Sequence, residues 1–337
     1  MFKKRLSILL TLVLALSLCA GLAWSGGQQE GAAGGTEVEQ EAQPEFPKKA
    51  VNFLIPFGAG GSADLVGRAV ANATEKYLGK PIVPLNKPGA SGGIMYNEVY
   101  NSDADGYTLA WNSSSILTTT LIGNVPFKAD AFTHVARIGY TAMPIAVLAD
   151  SPWQTLDEFI AAARANPGTL KIGNAGTGSG THLTAVMLAK EAGVDVIHVP
   201  LGAKRRVPSL LGKEVEAICV PLPEAAPQVK AGKMRILAMS TAERHPTFND
   251  IPTFKEYGYN VVMDLFRGLS VPKDTPAEVV KILQEAFRKG SQDPDFVKVA
   301  DQKGFLIDFQ DSKEFTEYIM EQSDIIENGL RYAELIQ

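Results

Sequence analysis

Apolar and polar positions change period repeatedly along the chain, and each change marks an element. Short apolar runs at Val51–Pro56, Ile82–Leu85 and Thr108–Trp111 predict strands, and the helical spacing of apolar residues in Ala63–Leu78 and Gly92–Ser102 predicts helices between them. An extended stretch follows at Ile145–Ala149, then a helix at Leu156–Asn166 that closes on Pro167-Gly168. Further strands are predicted at Leu170–Gly173, Val196–Val199, Ala217–Val220 and Ile236–Ser240, with helices at Gly180–Ala192, Val207–Leu211 and Pro223–Ala231. Val261–Val271 reads as extended, and the tail from Ala277 as mostly amphipathic helix. This alternation argues for an α/β fold with a largely parallel sheet.

The first residues do not belong to that pattern. Met1-Phe2-Lys3-Lys4-Arg5 is a short basic segment, followed by the apolar run Leu6–Leu18 and the small residues Ala20, Gly21 and Ala23. That order is the order of an export signal, expected over residues 1–25, and the run is shorter than a membrane span needs. Ala23-Trp24-Ser25 suits signal cleavage, whereas Leu16-Ser17-Leu18-Cys19 resembles a lipoprotein box with Leu18 where a small residue is usual, so anchoring through Cys19 stays open as an alternative. Residues 26–46, rich in Gly, Ala, Gln and Glu, are expected to form a flexible acidic linker. Without the first 25 residues the chain carries 29 basic and 37 acidic groups, a net charge of −8. Such an acidic body does not supply the basic footprint of a nucleic-acid binder. Cys219 has no partner once Cys19 is cleaved or acylated, so no disulfide framework is expected.

Two glycine-rich turns stand between a predicted strand and a predicted helix: Pro56-Phe57-Gly58-Ala59-Gly60-Gly61-Ser62-Ala63-Asp64 and Asn174-Ala175-Gly176-Thr177-Gly178-Ser179-Gly180-Thr181-His182. Glycines let backbone approach a ligand, and a helix N-terminus presents free N–H groups and a positive dipole end to an anion. Two such loops more than a hundred residues apart suit two lobes whose helix N-termini face each other across a cleft. Few cations stand near either loop, which suggests a carboxylate held by amides and hydroxyls and not by an arginine fork.

Enzymatic readings of the same loops fail on spacing. Gly58–Ala63 meets a loose dinucleotide fingerprint, but the next strand ends at Leu85-Asn86 without an acidic residue for a ribose. Ser179 has Thr177 and Thr181 where a nucleophile elbow needs glycines, and neither loop has a P-loop ending. No cofactor is expected. His134, His182, His198 and His245 lie too far apart in sequence for a recognisable metal motif. His182, on the first turn of its helix, could reach a ligand or tie its loop down. Asp64 would repel an anionic ligand unless it is turned away as a helix N-terminal residue or engages a ligand hydroxyl or ammonium.

The chain resembles a known family from Val51 to the C-terminal helices: the substrate-binding components of tripartite tricarboxylate transporters, the Bug-type periplasmic receptors. The resemblance rests on Gly60-Gly61-Ser62-Ala63-Asp64 with Arg68, on Asn86-Lys87-Pro88-Gly89-Ala90-Ser91-Gly92-Gly93, and on Asp105-Gly106-Tyr107-Thr108-Leu109. Gly176-Thr177-Gly178-Ser179 with His182-Leu183, Leu210-Leu211-Gly212, Ala231-Gly232-Lys233 and Ile251-Pro252-Thr253 follow in the same order. It implies a two-lobed periplasmic-binding-protein fold of the Venus-flytrap, type II-like kind. Lobe 1 would comprise residues 47–146 and 264–337, and lobe 2 residues 147–263, with hinges near Pro144–Asp150 and Met263–Val271. It implies an extracytoplasmic receptor, not an enzyme, that closes on a small di- or tricarboxylate and hands it to a membrane permease. Phe57, Gly60, Gly61, Ser62 and Asp64 from one lobe, and Asn174, Ala175, Gly178, Ser179 and His182 from the other, would meet the ligand. Waters would complete its far end, with Ser113 and Phe266 as further wall residues.

Two departures from the family pattern bear on the site. After His198-Val199-Pro200 the chain reads Leu201-Gly202-Ala203-Lys204-Arg205-Arg206, where the family has an aromatic, a basic residue and glycines. The three cations read first as a solvated helix start, with contact to an extra carboxylate as the alternative. Asn174 stands where the family commonly has Ser, which changes the hydrogen bonds on offer. Two other functions remain open on sequence: an exported α/β enzyme acting on a small organic acid, and a protein that presents its ligand to a sensor.

Overall fold

A computed structural model describes residues 45–337; the expected signal peptide, and the expected linker up to residue 44, lie outside the described residues. The first stretch of chain forms β1 (Val51–Ile55), α1 (Ser62–Leu78), β2 (Ile82–Asn86), α2 (Gly93–Tyr100), β3 (Thr108–Asn112), α3 (Ser115–Leu121) and β4 (Phe132–Thr141). The second forms β5 (Ile145–Leu148), α4 (Leu156–Ala165), β6 (Lys171–Asn174), α5 (Gly180–Ala192), β7 (Ile197–Pro200), α6 (Gly202–Leu211), β8 (Ala217–Cys219), α7 (Leu222–Lys230) and β9 (Met234–Ala238). The chain then returns through β10 (Leu265–Pro272), α8 (Ala277–Ser291), α9 (Pro294–Lys303), β11 (Leu306–Gln310) and α10 (Ser312–Tyr332).

Two sheets result, one ordered β11-β4-β10-β3-β1-β2 and the other β7-β6-β8-β5-β9. Both are mixed, which corrects the expectation of a largely parallel sheet. β1 pairs parallel with β2 and β3, and β6 with β7 and β8, because helical crossovers join them. β10 enters the first sheet antiparallel to both β3 and β4, β11 is antiparallel to β4, and β5 is antiparallel to β8 and β9. The chain leaves the first sheet after Thr141, joins the second at Ile145, and re-enters the first at Leu265.

Three elements escape the periodicity argument for identifiable reasons. β4 is buried on nearly every residue and so shows no alternation, and its polar members find partners in place, Arg137 Nε excepted. His134 Nδ1 meets Ser270 Oγ at 2.8 Å, and Arg137 pairs with Asp264 at 3.0 Å and Asp308 at 3.2 Å. α3 contains three successive threonines, poor helix formers; Thr118 and Thr120 donate back to the Ser115 and Ile116 carbonyls at 3.2 and 2.9 Å. β11 interrupts the helical tail. α6 begins at Gly202, five residues before the expected helix, because Lys204 to Arg206 continue its first turns. Among the described residues no helix is long and apolar enough to cross a membrane.

The core of the first sheet's outer face packs Phe53, Trp111 and Phe287 between α1 and α8, with the Phe53 and Trp111 rings 5.3 Å apart. These two helices approach closely at Gly290, where an added Cβ would lie 2.9 Å from Thr74 Cβ and 3.0 Å from Thr74 Cα. Gly290→Ala therefore gains about 1 kcal/mol of helix propensity and loses more to overpacking, for a net cost of about 1–2 kcal/mol. A melting temperature lowered by a few degrees is the expected result of differential scanning calorimetry; an unchanged or raised one would mean that the contact relaxes freely.

Candidate functional site

Strands β1 and β3 end where α1 and α3 begin, and β6 ends where α5 begins, so the carboxyl edges of the two sheets carry the loops that face each other. A cavity of about 290 Å³ lies between them, lined on one side by Phe57, Gly61, Ser62 and Ser113 and on the other by Ala175 and Ser179. Two hydrogen bonds cross the cleft: the Ser62 N–H donates to Glu224 Oε1 at 3.1 Å, and Ser91 Oγ donates to the Thr177 carbonyl at 3.2 Å.

The first loop is shaped from behind. Gly60 takes φ +85°, a left-handed conformation that other residues adopt at a cost, and its N–H donates to Asp64 Oδ2 at 3.0 Å. The other oxygen of Asp64 accepts from Arg68 Nε at 2.7 Å and Asn86 Nδ2 at 3.0 Å, and that amide also reaches the Phe57 carbonyl at 2.9 Å. Asp64 is thus turned into the loop and does not line the cavity. Burial alone would raise its pKa, but hydrogen bonds from Gly60, Asn86 and Arg68, with the Arg68 charge, hold it below the usual carboxylate range. Gly60 itself borders a neighbouring, more open hollow with Lys204, Glu224 and Lys303.

The second loop is braced in the same way. Asn174 Oδ1 accepts from the Gly176 N–H at 2.9 Å, Thr181 Oγ1 from the Ala175 N–H at 3.0 Å, and Ser179 Oγ caps α5 by accepting from the His182 N–H at 3.3 Å. Asn174, Gly178 and His182 lie behind the cavity wall, and Nδ2 of Asn174 is buried without a partner. Gly178 (φ +74°) donates its N–H to His182 Nδ1 at 3.2 Å, so this histidine ties the loop down. Phe266 lies in the core, fully buried against Phe315 and Tyr318 of α10, on the side of β10 away from the cavity.

Three charged residues also line the cavity: Arg206 from α6, which the sequence admits only as the alternative reading of the Lys204–Arg206 run, and Glu224 from α7 and Arg267 from β10, which it does not place in the site. This corrects the expectation of a site built from amides and hydroxyls without arginine. Lys204 and Arg205 are exposed as a solvated helix start requires, but Arg206 is only 3% exposed and its Nη2 meets Glu224 Oε1 at 2.8 Å. The available signal for Arg267 was a single cation inside the apolar run Leu265-Phe266-Arg267-Gly268-Leu269. Beside them, Ser113 and Ser115 share a hydrogen bond at 2.9 Å, while the hydroxyls of Ser62 and Ser114 are buried without partners. The arrangement offers an anion two helix N-termini, free hydroxyls and two guanidinium groups, one of them already neutralised by Glu224.

His182 has its pKa pushed down to about 4, first by burial and then by His198, whose ring centroid is 5.2 Å away. The folded protein therefore resists a proton that the unfolded chain accepts near the usual histidine pKa of about 6.5. Stability contributed by the neutral ring is complete above that value and declines as pH falls toward about 4. Melting curves between pH 7.5 and 4.5 are expected to show this decline, and His182→Gln to make it shallower; an identical slope in the variant would refute the assignment.

Comparison with known proteins follows the same lines. The profile of the family described as "Tripartite tricarboxylate transporter family receptor" matches residues 66–330. A Cupriavidus necator protein, described as "UPF0065 protein in gbd 5'region", is 33% identical over 304 residues, spanning 88% of this chain and 92% of its own. A TctC solute binding protein from Polaromonas superposes with a TM-score of 0.69 at 32% identity, over 85% of this chain and 99% of its own. An R. palustris protein solved with adipate gives a TM-score of 0.81 at 25% identity, over 86% and 99%. Two sheets with a cleft between their carboxyl edges are the two-lobed, Venus-flytrap architecture of periplasmic binding proteins. With the profile matched from within α1 to within α10 and a relative of that identity along most of its length, the chain belongs to the tripartite tricarboxylate transporter receptor family.

Proposed function

We propose that the protein is an extracytoplasmic receptor for a small di- or tricarboxylate, which it delivers to a tripartite tricarboxylate-type membrane permease. The observation that carries this reading is the cavity between the two glycine loops, walled by the N-termini of α1 and α5 and by buried guanidinium groups. Each is a group that stabilises carboxylate and none is arranged as a nucleophile with its base. The family to which the chain belongs is one of receptors, and the R. palustris relative solved with adipate supports a carboxylate as the solute.

In this reading Gly61, Ser62, Ala175 and Ser179 meet the solute directly, with Phe57 and Ser113 completing the wall. Gly60, Asp64, Asn174, Gly178 and His182 hold the loops in shape from behind. The lobes comprise residues 47–146 with 264–337, and 147–263, to within the few residues of the two crossings. Ligand shifts the population toward the closed form in proportion to its preference for that form. Export by residues 1–25 delivers the receptor to the compartment where the permease recognises it.

Binding raises the apparent stability of whichever state binds, by about 2.7 kcal/mol at a hundredfold excess over Kd. A thermal-shift panel of mono-, di- and tricarboxylates should therefore give a rise of about 5 °C or more with at least one di- or tricarboxylate. Gly61 has φ −81°, a conformation open to any residue, so Gly61→Val adds bulk at the wall without backbone strain and should abolish that shift while the protein still melts cooperatively. A panel with no shift, together with no carboxylic acid released on denaturing the purified protein, would refute the proposal.

A further inference from the structure

Arg267 is 2% exposed and lines the cavity, yet its Nε and Nη1 are buried with no hydrogen-bond partner. The sheet register explains its position. Gly268 sits opposite Asn112, the last residue of β3, so Arg267 lies just beyond the carboxyl end of that strand, level with the loop that starts at Ser113. On its other side the pairing with β4 slips between Arg267 and Gly268. Such an irregularity redirects a side chain out of the plain strand alternation.

The charges around it do not cancel it. Arg206 and Glu224 form an ion pair at 2.8 Å and neutralise one another, whereas Arg267 has no ion-pair partner among the described residues. The hydroxyl of Tyr96, a neighbour that could accept from it, is already engaged with Asn112 at 2.9 Å and Ser115 at 2.9 Å. Burial lowers the pKa of Arg267 to about 10, which still leaves the group charged at neutral pH. A desolvated lone cation is costly to the fold, and nothing in the packing offsets it. A ligand carboxylate would.

We propose that Arg267 is the seat of the solute's second carboxylate, and that it makes the protein selective for dicarboxylates over monocarboxylates of the same carbon skeleton. The inference rests on the carboxylate-receptor reading and replaces water at the far end of the solute with a guanidinium. One carboxylate is held by the N–H groups and hydroxyls of the two loops. The other pairs with Arg267 through charge-assisted hydrogen bonds, whose planar fork matches a carboxylate. A monocarboxylate satisfies only one of the two seats and leaves the other desolvated and unpaired.

The test is calorimetric titration of the wild type, Arg267→Met and Arg267→Lys with succinate, glutarate, adipate and terephthalate, each beside its monocarboxylate counterpart, butyrate, pentanoate, hexanoate and 4-methylbenzoate. In the wild type at least one dicarboxylate should bind about 10- to 100-fold tighter than its counterpart. Arg267→Met should erase that ratio, and Arg267→Lys should keep part of it. A second readout separates binding from architecture: without added solute, Arg267→Met should melt at or above the wild-type temperature, because it removes a lone buried charge. A melting temperature several degrees lower would make Arg267 structural and overturn the proposal. Retention of the ratio in Arg267→Met, or equal binding of mono- and dicarboxylates by the wild type, would overturn it while leaving the carboxylate receptor standing. Failure of the wild type to bind any of the eight acids would overturn this inference, and the receptor reading falls only if tricarboxylates fail as well.

Discussion

Backbone pairing of β10 between β3 and β4 is the constraint on which the arrangement of the site depends. A βαβ succession builds β1, β2 and β3 locally, but β4 reaches the same sheet only because β10 lies between it and β3 and bonds to both. β10 is also the strand by which the chain returns from the second sheet, so one set of ladder hydrogen bonds both closes the first sheet and fixes where the crossover ends. The direction of that strand matters chemically. Running antiparallel, it brings its first residues to the edge where β1 and β3 end, and so sets Arg267 beside two glycine loops from which it is distant in sequence. Gly268, next in line, is held to glycine by Phe315, whose ring would lie within 2.5 Å of an added Cβ, and by the Ala136 carbonyl at 2.7 Å.

Across the cleft the same electrostatic economy recurs with the protein's own groups. The N-terminus of α1 has no side-chain cap of its own; Glu224, reaching from α7, accepts from Ser62 and from Arg206 together. A carboxylate at a helix N-terminus is stabilised by the dipole and by the free N–H groups. The contact joins elements of the two sheets, and it is paired with Ser91 and Thr177 on another part of the rim. An incoming anion thus meets a helix terminus already engaged by a carboxylate, and its gain in free energy is the difference between the contacts it makes and those it displaces. Arg206 moderates the repulsion between the two by standing next to Glu224.

Local signals carried much of this into the sequence, and non-local ones did not. The glycine loops were legible because a strand, a turn with positive-φ glycines and a helix are consecutive in the chain, and Ser62, Ser179 and Gly61 fall on the cavity wall for that reason. Asp64, Asn174 and His182 share the same loops, but their side chains turn back to brace them, a choice decided by Arg68, Asn86, Thr181 and Gly178 jointly and not by any one position. Arg206 was legible only as the alternative reading of its run and Arg267 was not legible at all, for two different reasons. The first sits at the end of a run whose other members are exposed, and only helix phase separates it from them. The second depends on strand order and on an irregularity in register, neither of which has a local signature. β4 was hidden by its burial on both faces, which removes the alternation that marks a half-buried strand.

α10 packs against elements of both sheets. Its first turns pack on β10 through Phe315 against Phe266, and Tyr318 Oη donates to Asp264 Oδ1 at 2.6 Å just before β10 begins. Arg137 of β4 binds the same carboxylate from the other side and lies 4.2 Å from the Tyr318 ring centre. Burial pushes the Asp264 pKa up and these two partners oppose it, so hydrogen bonds to both of its oxygens tie α10 and β4 to the start of β10. The far end of the same helix lies against α5, with Met187 Sδ 3.3 Å and Leu183 Cβ 3.5 Å from where a Cβ on Gly329 would be. A single rigid helix therefore touches the first sheet near the crossover and the second-sheet segment beyond it. At Gly329 a residue without a side chain lets α10 lie close against Leu183 and Met187 of α5.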